Sequence, residues 1–173
     1  MHTSAWHGAG ATHRLRAAPP AQDSSSKLPG VLYGRYPGDN YAGGNPWVLT
    51  SAALAQLLYR VAAHAKTAPI SDNSTVTAWA EALNVQPTPA TLPSALFAAG
   101  DAVLARLRAH VKADGFRLDE QIDKRSGKQT SAHSLTWSYA EVFNALHWRA
   151  QATEALLRVG SRGVAVNGTV EAA

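Results

Sequence analysis

Apolar residues recur every three or four positions along four segments of the chain, and this spacing constrains the fold more than any other feature. The clearest stripe comprises Leu54, Leu57, Leu58, Val61 and Ala65. Further stripes lie within 76–83, 96–111 and 135–148, and a last helical turn is expected near 155–157. No segment shows the sustained two-residue alternation of a half-buried strand. The sequence therefore predicts an all-α fold of about four to five helices joined by long loops.

Prolines and small polar residues mark the expected helix starts. Asn45 followed by Pro46 is typical of an N-cap and a first helical residue. Ser71 or Asp72 can cap the second helix, and Ser94 can cap the third. Long polar stretches are left immediately before the first and the fourth helix, where a site could be built on loops.

Composition separates a folded body from two ends. With 46% hydrophobic and 16% charged residues, the chain is too apolar to be disordered throughout. Residues 1–30 are rich in Ala, Gly, Pro and Ser, which predicts a disordered tail or linker. Residues 161–173 predict a frayed tail. One folded unit is expected over residues 31–160.

Several classes of function are disfavoured by what the sequence lacks. The formal net charge is +4, but the basic residues are scattered and form no stripe among aromatics, so nucleic-acid binding is not expected. The chain has no cysteine, which excludes disulfides and thiolate metal sites. No apolar run reaches membrane-spanning length, and residues 1–22 lack the pattern of a signal peptide. We expect no membrane partner, no metal and no cofactor, and the compartment stays open.

The stretch 34–45 combines turn formers with aromatic and charged side chains, among them Arg35, Tyr36, Asp39 and Tyr41. Sugars bind on aromatic faces and through hydrogen bonds from Arg and Asp to their hydroxyls. Gly, Asn, Asp and Pro also form turns without any ligand. The residues alone therefore leave a ligand-binding loop and a plain turn equally open.

The stretch 118–124 carries an acidic cluster in a polar loop. Hydrolysis of a glycosidic bond uses two carboxyl groups, and in the inverting mode one of them activates water as a general base. Glu120 suits the role of that base. Its neighbours Gln121, Lys124 and Ser131 offer a polar environment, which keeps a carboxylate ionised. An ordinary solvated acidic loop is the competing interpretation.

Two long motifs, in this order, resemble those of the glucoamylases of glycoside hydrolase family 15. The first motif is matched by Gly34-Arg35-Tyr36-Pro37, Asp39, Tyr41 and Asn45-Pro46-Trp47. The second is matched by Glu120-Gln121, Asp123-Lys124, Gly127, Ser131-Ala132 and Leu135-Thr136-Trp137-Ser138-Tyr139. The resemblance covers about residues 30–150 and corresponds to the C-terminal portion of such a catalytic domain. It implies part of an (α/α)6 barrel.

The resemblance also implies roles for individual residues. Glu120 corresponds to the general base, and Ser131 to a hydroxyl that tunes that base. Trp137 corresponds to an aromatic wall of the deepest sugar subsite, and Arg35 to the arginine that holds the glucosyl unit. The same substrate-binding set includes Tyr36, Asp39, Tyr41 and Trp47. Ile122 stands where an aromatic residue is expected, which predicts looser packing around the base.

The activity implied is inverting, exo-acting hydrolysis of α-1,4-glucosidic bonds in starch-like glucans and malto-oligosaccharides, with release of glucose. The family's general acid lies in a Trp-Glu-Glu motif that this sequence does not contain, and the nearest stretch, Trp79-Ala80-Glu81, does not match it. We therefore expect an incomplete ring, completed by a missing N-terminal segment or another chain. The alternatives are a non-catalytic carbohydrate-binding remnant and a helical module that depends on a partner. Members of the family are commonly secreted or periplasmic.

Overall fold

The computed structural model describes residues 30–158, which contain four α-helices. They are α1 (Val48–Thr67), α2 (Asn73–Leu83), α3 (Leu92–Val111) and α4 (Thr136–Arg158). The all-α prediction is confirmed for this part of the chain. The tails predicted for 1–30 and 161–173 lie, but for one residue, outside the described range. Within that range no helix combines the length and the apolarity needed to cross a bilayer.

Helix α1 lies at the centre of the described fold and packs against both α3 and α4. Its alanines Ala52, Ala55 and Ala62 are completely buried, and their small side chains let the neighbouring helices approach closely. Tyr59 is also buried in α1, and its ring meets α3 at Gly100. A Cβ on Gly100 would lie 2.7 Å from that ring, so the glycine makes room for the tyrosine.

Two apolar clusters close the ends of the α1–α3 pair. Helix α2 contributes to the first, which comprises Leu58, Ala62, Val76, Leu92 and Leu96. The second comprises Leu32, Val48, Leu107, Val111, Leu118 and Ile122. Ile122 is 2% exposed and belongs to the second cluster, while the looser packing around Glu120 that its replacement of an aromatic residue suggests stays a prediction.

The chain also forms one short hairpin before α4. Strand β1 (Gln121–Ile122) pairs antiparallel with β2 (Gln129–Thr130), and Gln121 lies opposite Thr130. Trp47 forms an isolated bridge with Gln121 on the other side. The sequence did not indicate this hairpin, because strands of two residues are too short to show an alternating pattern.

Two of the predicted helix starts are wrong by a few residues. The residue that caps α1 is Trp47, and Asn45 instead uses its side chain to bond to Gln121. Helix α3 begins before Ser94 and includes Pro93 in its first turn. A proline is tolerated there because the first backbone N–H groups of a helix have no partner within the helix.

The remaining helix ends follow the sequence more closely. Asp72 caps α2 as predicted, since its carboxylate accepts hydrogen bonds from Ser74 N at 3.3 Å and Thr75 N at 2.9 Å. Helix α4 runs without a break to Arg158, so the separate turn predicted near 155–157 is wrong. The apolar spacing of that turn simply continues the helix.

Candidate active site

The loop before α4 is bonded to the first turns of both α1 and α4. Val48 N, at the start of α1, donates a hydrogen bond to Glu120 O at 3.1 Å. Ser138 Oγ, in the first turn of α4, donates to Asp119 O at 2.8 Å. The predicted base is therefore carried on a segment fixed to the N-terminal ends of two packed helices.

Arg35 forms the centre of an aromatic and acidic cluster. Its Nε and Nη2 donate to the two oxygens of Asp39, at 2.8 and 2.9 Å. Its guanidinium carbon lies 5.4 Å from the ring centre of Tyr36, 4.7 Å from that of Tyr41 and 4.9 Å from that of Trp47. The structure thus brings together all five side chains that were predicted from the first motif; we call them the arginine cluster.

The charges of the arginine cluster are complementary. Hydrogen bonds from Arg35 hold the pKa of Asp39 below its usual range, and the same pairing raises the pKa of Arg35. Tyr36 and Tyr41 are 60% and 52% exposed. Within the described residues, the Nη1 group of Arg35 forms no hydrogen bond, so it can donate to a ligand lying on the tyrosines.

Two buried amides tie the arginine cluster's loop to the hairpin. Asn45 Nδ2 donates to Gln121 Oε1 at 3.2 Å, and Asn45 Oδ1 accepts from Lys124 N at 3.2 Å. Lys124 Nζ also donates to Gly43 O at 2.6 Å. Sequence reasoning missed this bridge because it assigned Asn45 to a helix cap.

Glu120 is held by its backbone, while its carboxylate stays nearly unoccupied. Its N–H donates to Ala132 O at 2.9 Å, and its carbonyl accepts from Val48 N. Among the described residues its side chain accepts one long hydrogen bond, from Gln121 Nε2 at 3.4 Å. A half-buried carboxylate in this state can accept a proton from a bound water molecule.

Asp119 is a feature of the site that the sequence did not indicate. Its side chain is fully buried and accepts from Arg117 Nε and Nη2 at 2.9 and 3.3 Å, from His133 Nδ1 at 2.9 Å and from Ser134 N at 2.9 Å. Burial alone would raise the pKa of Asp119, but the hydrogen bonds outweigh it, Arg117's foremost, and lower the pKa to about 2. The available signal was the i, i+2 spacing of Arg117 and Asp119, which share one side of an extended segment.

Ser131 and Trp137 lie on the turn that leads into α4. In the described structure no hydrogen bond joins Ser131 to Glu120, and Ser131 has a positive φ of 68°. Trp137 is 67% exposed and makes no ring contact with the arginine cluster. Their assigned roles, tuning the base and walling a sugar subsite, therefore stay predictions.

The site residues face an open surface. A hollow of about 520 Å³ lies behind the hairpin, lined in part by Ile122 and Lys124. A groove of about 700 Å³ lies between α1 and α4, beside Leu57 and Trp148. Glu120 lines neither of them. In the described part of the chain, no group of three or more His, Cys, Asp or Glu side chains is placed to hold a metal ion.

Residues 15–147 match the sequence profile of Glycosyl hydrolases family 15. The chain is 33% identical, over 171 residues, to the intracellular sporulation-specific glucoamylase of Saccharomyces cerevisiae. The match covers 82% of this chain and 31% of that protein. It is 38% identical, over 150 residues, to Glucoamylase-1 of Schizophyllum commune, and this match covers 80% of this chain and 26% of that protein.

Solved structures give the same relationship. The fold is similar to that of the glycoside hydrolase family 15 glucoamylase from Hypocrea jecorina, with a TM-score of 0.66 and 28% identity over 80% of this chain and 25% of the other. For the glucoamylase of Hormoconis resinae the TM-score is 0.62, with 30% identity over 72% and 23%. These proteins have (α/α)6 barrels, and the prediction that the helices form part of such a barrel is confirmed. The chain spans about a quarter to a third of the length of the relatives it matches.

Proposed function

This chain belongs to glycosyl hydrolase family 15, and from this membership we propose that it carries the catalytic base and the sugar-binding arginine of a glucoamylase. The resemblance of the chain to this family is confirmed. The proposed reaction is inverting hydrolysis of α-1,4-glucosidic bonds at the non-reducing ends of starch-like glucans and malto-oligosaccharides, with release of glucose.

One observation carries the proposal: the arginine cluster and the segment of Glu120 both contact the start of α1. Trp47 lies under the guanidinium of Arg35 at 4.9 Å, and the next residue, Val48, bonds to the backbone of Glu120. We therefore expect a sugar bound by Arg35 and the exposed tyrosines to lie close to the loop that carries this carboxylate. The hydrogen bond from Val48 N to Glu120 O and the bridge between Trp47 and Gln121 couple this loop to the helix start that carries Trp47.

In the proposed reaction, Glu120 removes a proton from a water molecule as the water oxygen attacks the anomeric carbon. The bond from that carbon to the glycosidic oxygen breaks, and a general acid on the opposite side of the sugar protonates the leaving oxygen. Inverting enzymes place the two carboxyl groups about 6.5–9.5 Å apart, which leaves room for the water. The few hydrogen bonds to the side chain of Glu120 leave it free to accept this proton.

The general acid is assigned to sequence outside this chain. No Trp-Glu-Glu motif occurs in the 173 residues, and Glu81 lies in α2, which packs at the end of α1 and α3 away from Glu120. The relatives are three to four times longer than the matched region, so the family fold has room for the acid on other helices. We place the acid there.

An exposed apolar face on α4 supports a further helical layer. Phe143, Leu146 and Leu157 are 67%, 47% and 70% exposed and lie three or eleven residues apart, which puts them on one side of the helix. A helix of a complete barrel has neighbours on both sides. We propose that helices of the family fold that this chain does not span cover this face and bring the general acid.

Glucose release from maltotriose tests the proposed function. The assay uses the full chain, and in parallel a chimera in which residues 30–158 replace the matching part of the Saccharomyces cerevisiae relative. We expect the chimera to release β-glucose, the inverted anomer. The Glu120→Gln variant should be slower by about 100-fold or more, since it removes a general base. An active chimera that Glu120→Gln leaves unchanged would refute the role of Glu120.

A non-catalytic carbohydrate-binding protein is the second candidate, and the absence of a recognisable acid in the sequence favours it. In that case maltotriose binds to the full chain through Arg35, but neither the chain nor the chimera turns it over. Calorimetric titration of the chain with maltotriose, beside the glucose assay, separates this candidate from the first.

A further inference from the structure

The buried carboxylate of Asp119 is saturated with hydrogen-bond donors. Oδ1 accepts from Arg117 Nε and Ser134 N, each at 2.9 Å. Oδ2 accepts from Arg117 Nη2 at 3.3 Å and His133 Nδ1 at 2.9 Å. The backbone of Asp119 is fixed as well, since its N–H donates to Gln129 Oε1 at 2.9 Å. No acceptor position is left for substrate, so Asp119 can act only through the residues that it holds.

The residues held by Asp119 form a strained turn, 131–134. Ser131 and Ser134 have positive φ angles of 68° and 50°, a conformation that non-glycine residues rarely adopt. Such a turn persists only when its surroundings fix it. Asp119 supplies two of the fixing contacts, to the N–H of Ser134 and to the ring of His133.

The turn 131–134 also fixes the backbone of the predicted base. Ala132 O, in the middle of the turn, accepts from Glu120 N at 2.9 Å. At the end of the turn, Leu135 N donates to Leu118 O at 2.9 Å. Glu120 is thus bonded to the same turn whose shape depends on the carboxylate of the preceding residue.

We propose that Asp119 is a positioning residue for the catalytic base: its carboxylate fixes the turn 131–134, and the turn fixes the backbone of Glu120 and the start of α4. The part of this inference that concerns catalysis rests on the proposed function of Glu120. The mechanical coupling between Asp119 and Glu120 does not, and it is measured separately.

The carboxylate of Asp119 itself stays charged over the neutral range. Arg117 balances the carboxylate, and the depressed pKa of Asp119 keeps it ionised. The ring of His133 contacts the same carboxylate through Nδ1, at 2.9 Å. Asp114 is a further charged neighbour: it accepts from the Nε2 of the same Gln129 whose Oε1 accepts from Asp119 N.

Amide hydrogen exchange on the full chain, read residue by residue by NMR, tests the coupling. The variant is Asp119→Asn, and the matched control is Asp101→Asn. Asp101 also pairs with an arginine, Arg149 at 2.7 Å, but it joins α3 to α4 more than three helical turns from Thr136, where α4 begins. Exchange rates are expressed relative to buried amides of α1, so that a general loss of stability cancels.

We expect Asp119→Asn to accelerate exchange at Glu120 and Ser134 by about 10-fold or more relative to α1, and Asp101→Asn to change that ratio less than about twofold. Should Asp119→Asn prevent folding, His133→Ala removes one donor only and gives a smaller acceleration. His133→Asn keeps an N–H donor and should restore protection. Ratios unchanged by Asp119→Asn and His133→Ala would overturn the coupling.

The catalytic part of the inference is tested separately, in whichever protein releases glucose, the full chain or the chimera. Asp119→Asn should lower kcat by about 10-fold or more and leave KM within about twofold, because the base is displaced while the arginine cluster is intact. Unchanged kcat together with accelerated exchange would overturn the positioning role. Failure of the proposed function looks different, since Glu120→Gln would then have no effect while the exchange results still stand.

Discussion

Arg35 is held by Asp39 through two parallel hydrogen bonds, so the plane of its guanidinium is fixed before any ligand binds. The ion pair has one nearly buried member, since the side chain of Asp39 is 5% exposed and that of Arg35 is 32% exposed. The ring centres of three aromatic side chains lie within 5.4 Å of the guanidinium carbon of Arg35. A preorganised arginine of this kind loses little freedom on binding a sugar.

Arg35→Lys should weaken the binding of maltotriose by about 10-fold or more, or roughly 1.4 kcal/mol, although the charge is kept. A lysine cannot bond Asp39 through two nitrogens, nor lie flat against the rings. Calorimetric titration of the full chain measures the affinity. The control is Arg158→Lys, whose exposed pair with Glu154 lies at the far end of α4. Equal affinities for Arg35→Lys and the unsubstituted chain would remove Arg35 from the binding site.

The sequence was sufficient for features that arise from neighbouring residues. The helices follow from apolar spacing, and the arginine cluster follows from a motif spanning residues 34–47. The contacts that the sequence did not predict join residues far apart along the chain. Asn45, for example, bonds to Gln121, which is 76 residues away. Asp119 was missed for the same reason, because its charge is satisfied by His133 and Ser134 across a turn whose geometry no local pattern shows.

Gly100→Ala should destabilise the protein by about 1–3 kcal/mol, because a buried methyl group would overlap the Tyr59 ring. The ring cannot move aside easily: its hydroxyl donates to Asp101 Oδ1 at 2.7 Å, and Phe97 packs against it at 5.4 Å. The clash outweighs the gain in helix propensity, about 1 kcal/mol for alanine over glycine.

Urea unfolding followed by circular dichroism measures this effect. Gly34→Ala is the control, because its added Cβ would meet no atom closer than 3.6 Å. If Gly100→Ala unfolded at the same or a higher urea concentration than the unsubstituted chain, the packing of Tyr59 against α3 would be wrong.

The stability contributed by Asp119 should disappear in acid. Its pKa is about 2 in the folded protein and about 3.9 in an unfolded chain, so the contribution is complete above pH 4 to 5 and is lost as the pH falls toward 2. The amount is of the order of 2 kcal/mol. The gap in unfolding free energy between the unsubstituted chain and Asp119→Asn should therefore narrow steadily below pH 4.

Urea unfolding at pH 6, 4.5 and 3 gives this gap directly. Glu154→Gln is the control, since an exposed ion pair contributes little to stability at any of these values. A gap between the unsubstituted chain and Asp119→Asn that is as wide at pH 3 as at pH 6 would show that Asp119 does not titrate as its buried ion pair requires.

The exposed face of α4 should govern the association of the chain. Phe143 and Leu146 lie on this face with most or about half of their side-chain surface in water, and each Å² of apolar surface that a partner covers is worth about 25 cal/mol. The double variant Phe143→Ser with Leu146→Ser should shift the isolated chain from larger species toward monomer in analytical ultracentrifugation. Its effect on the unfolding free energy should be small, because an exposed side chain contributes little to the core.

The control is Phe116→Ser, which removes a 48% exposed aromatic side chain that is not on α4 and should leave the distribution of species unchanged. If the unsubstituted chain sediments as a monomer and melts in one sharp transition, the face needs no covering helix, and the proposed completion of the barrel fails with it.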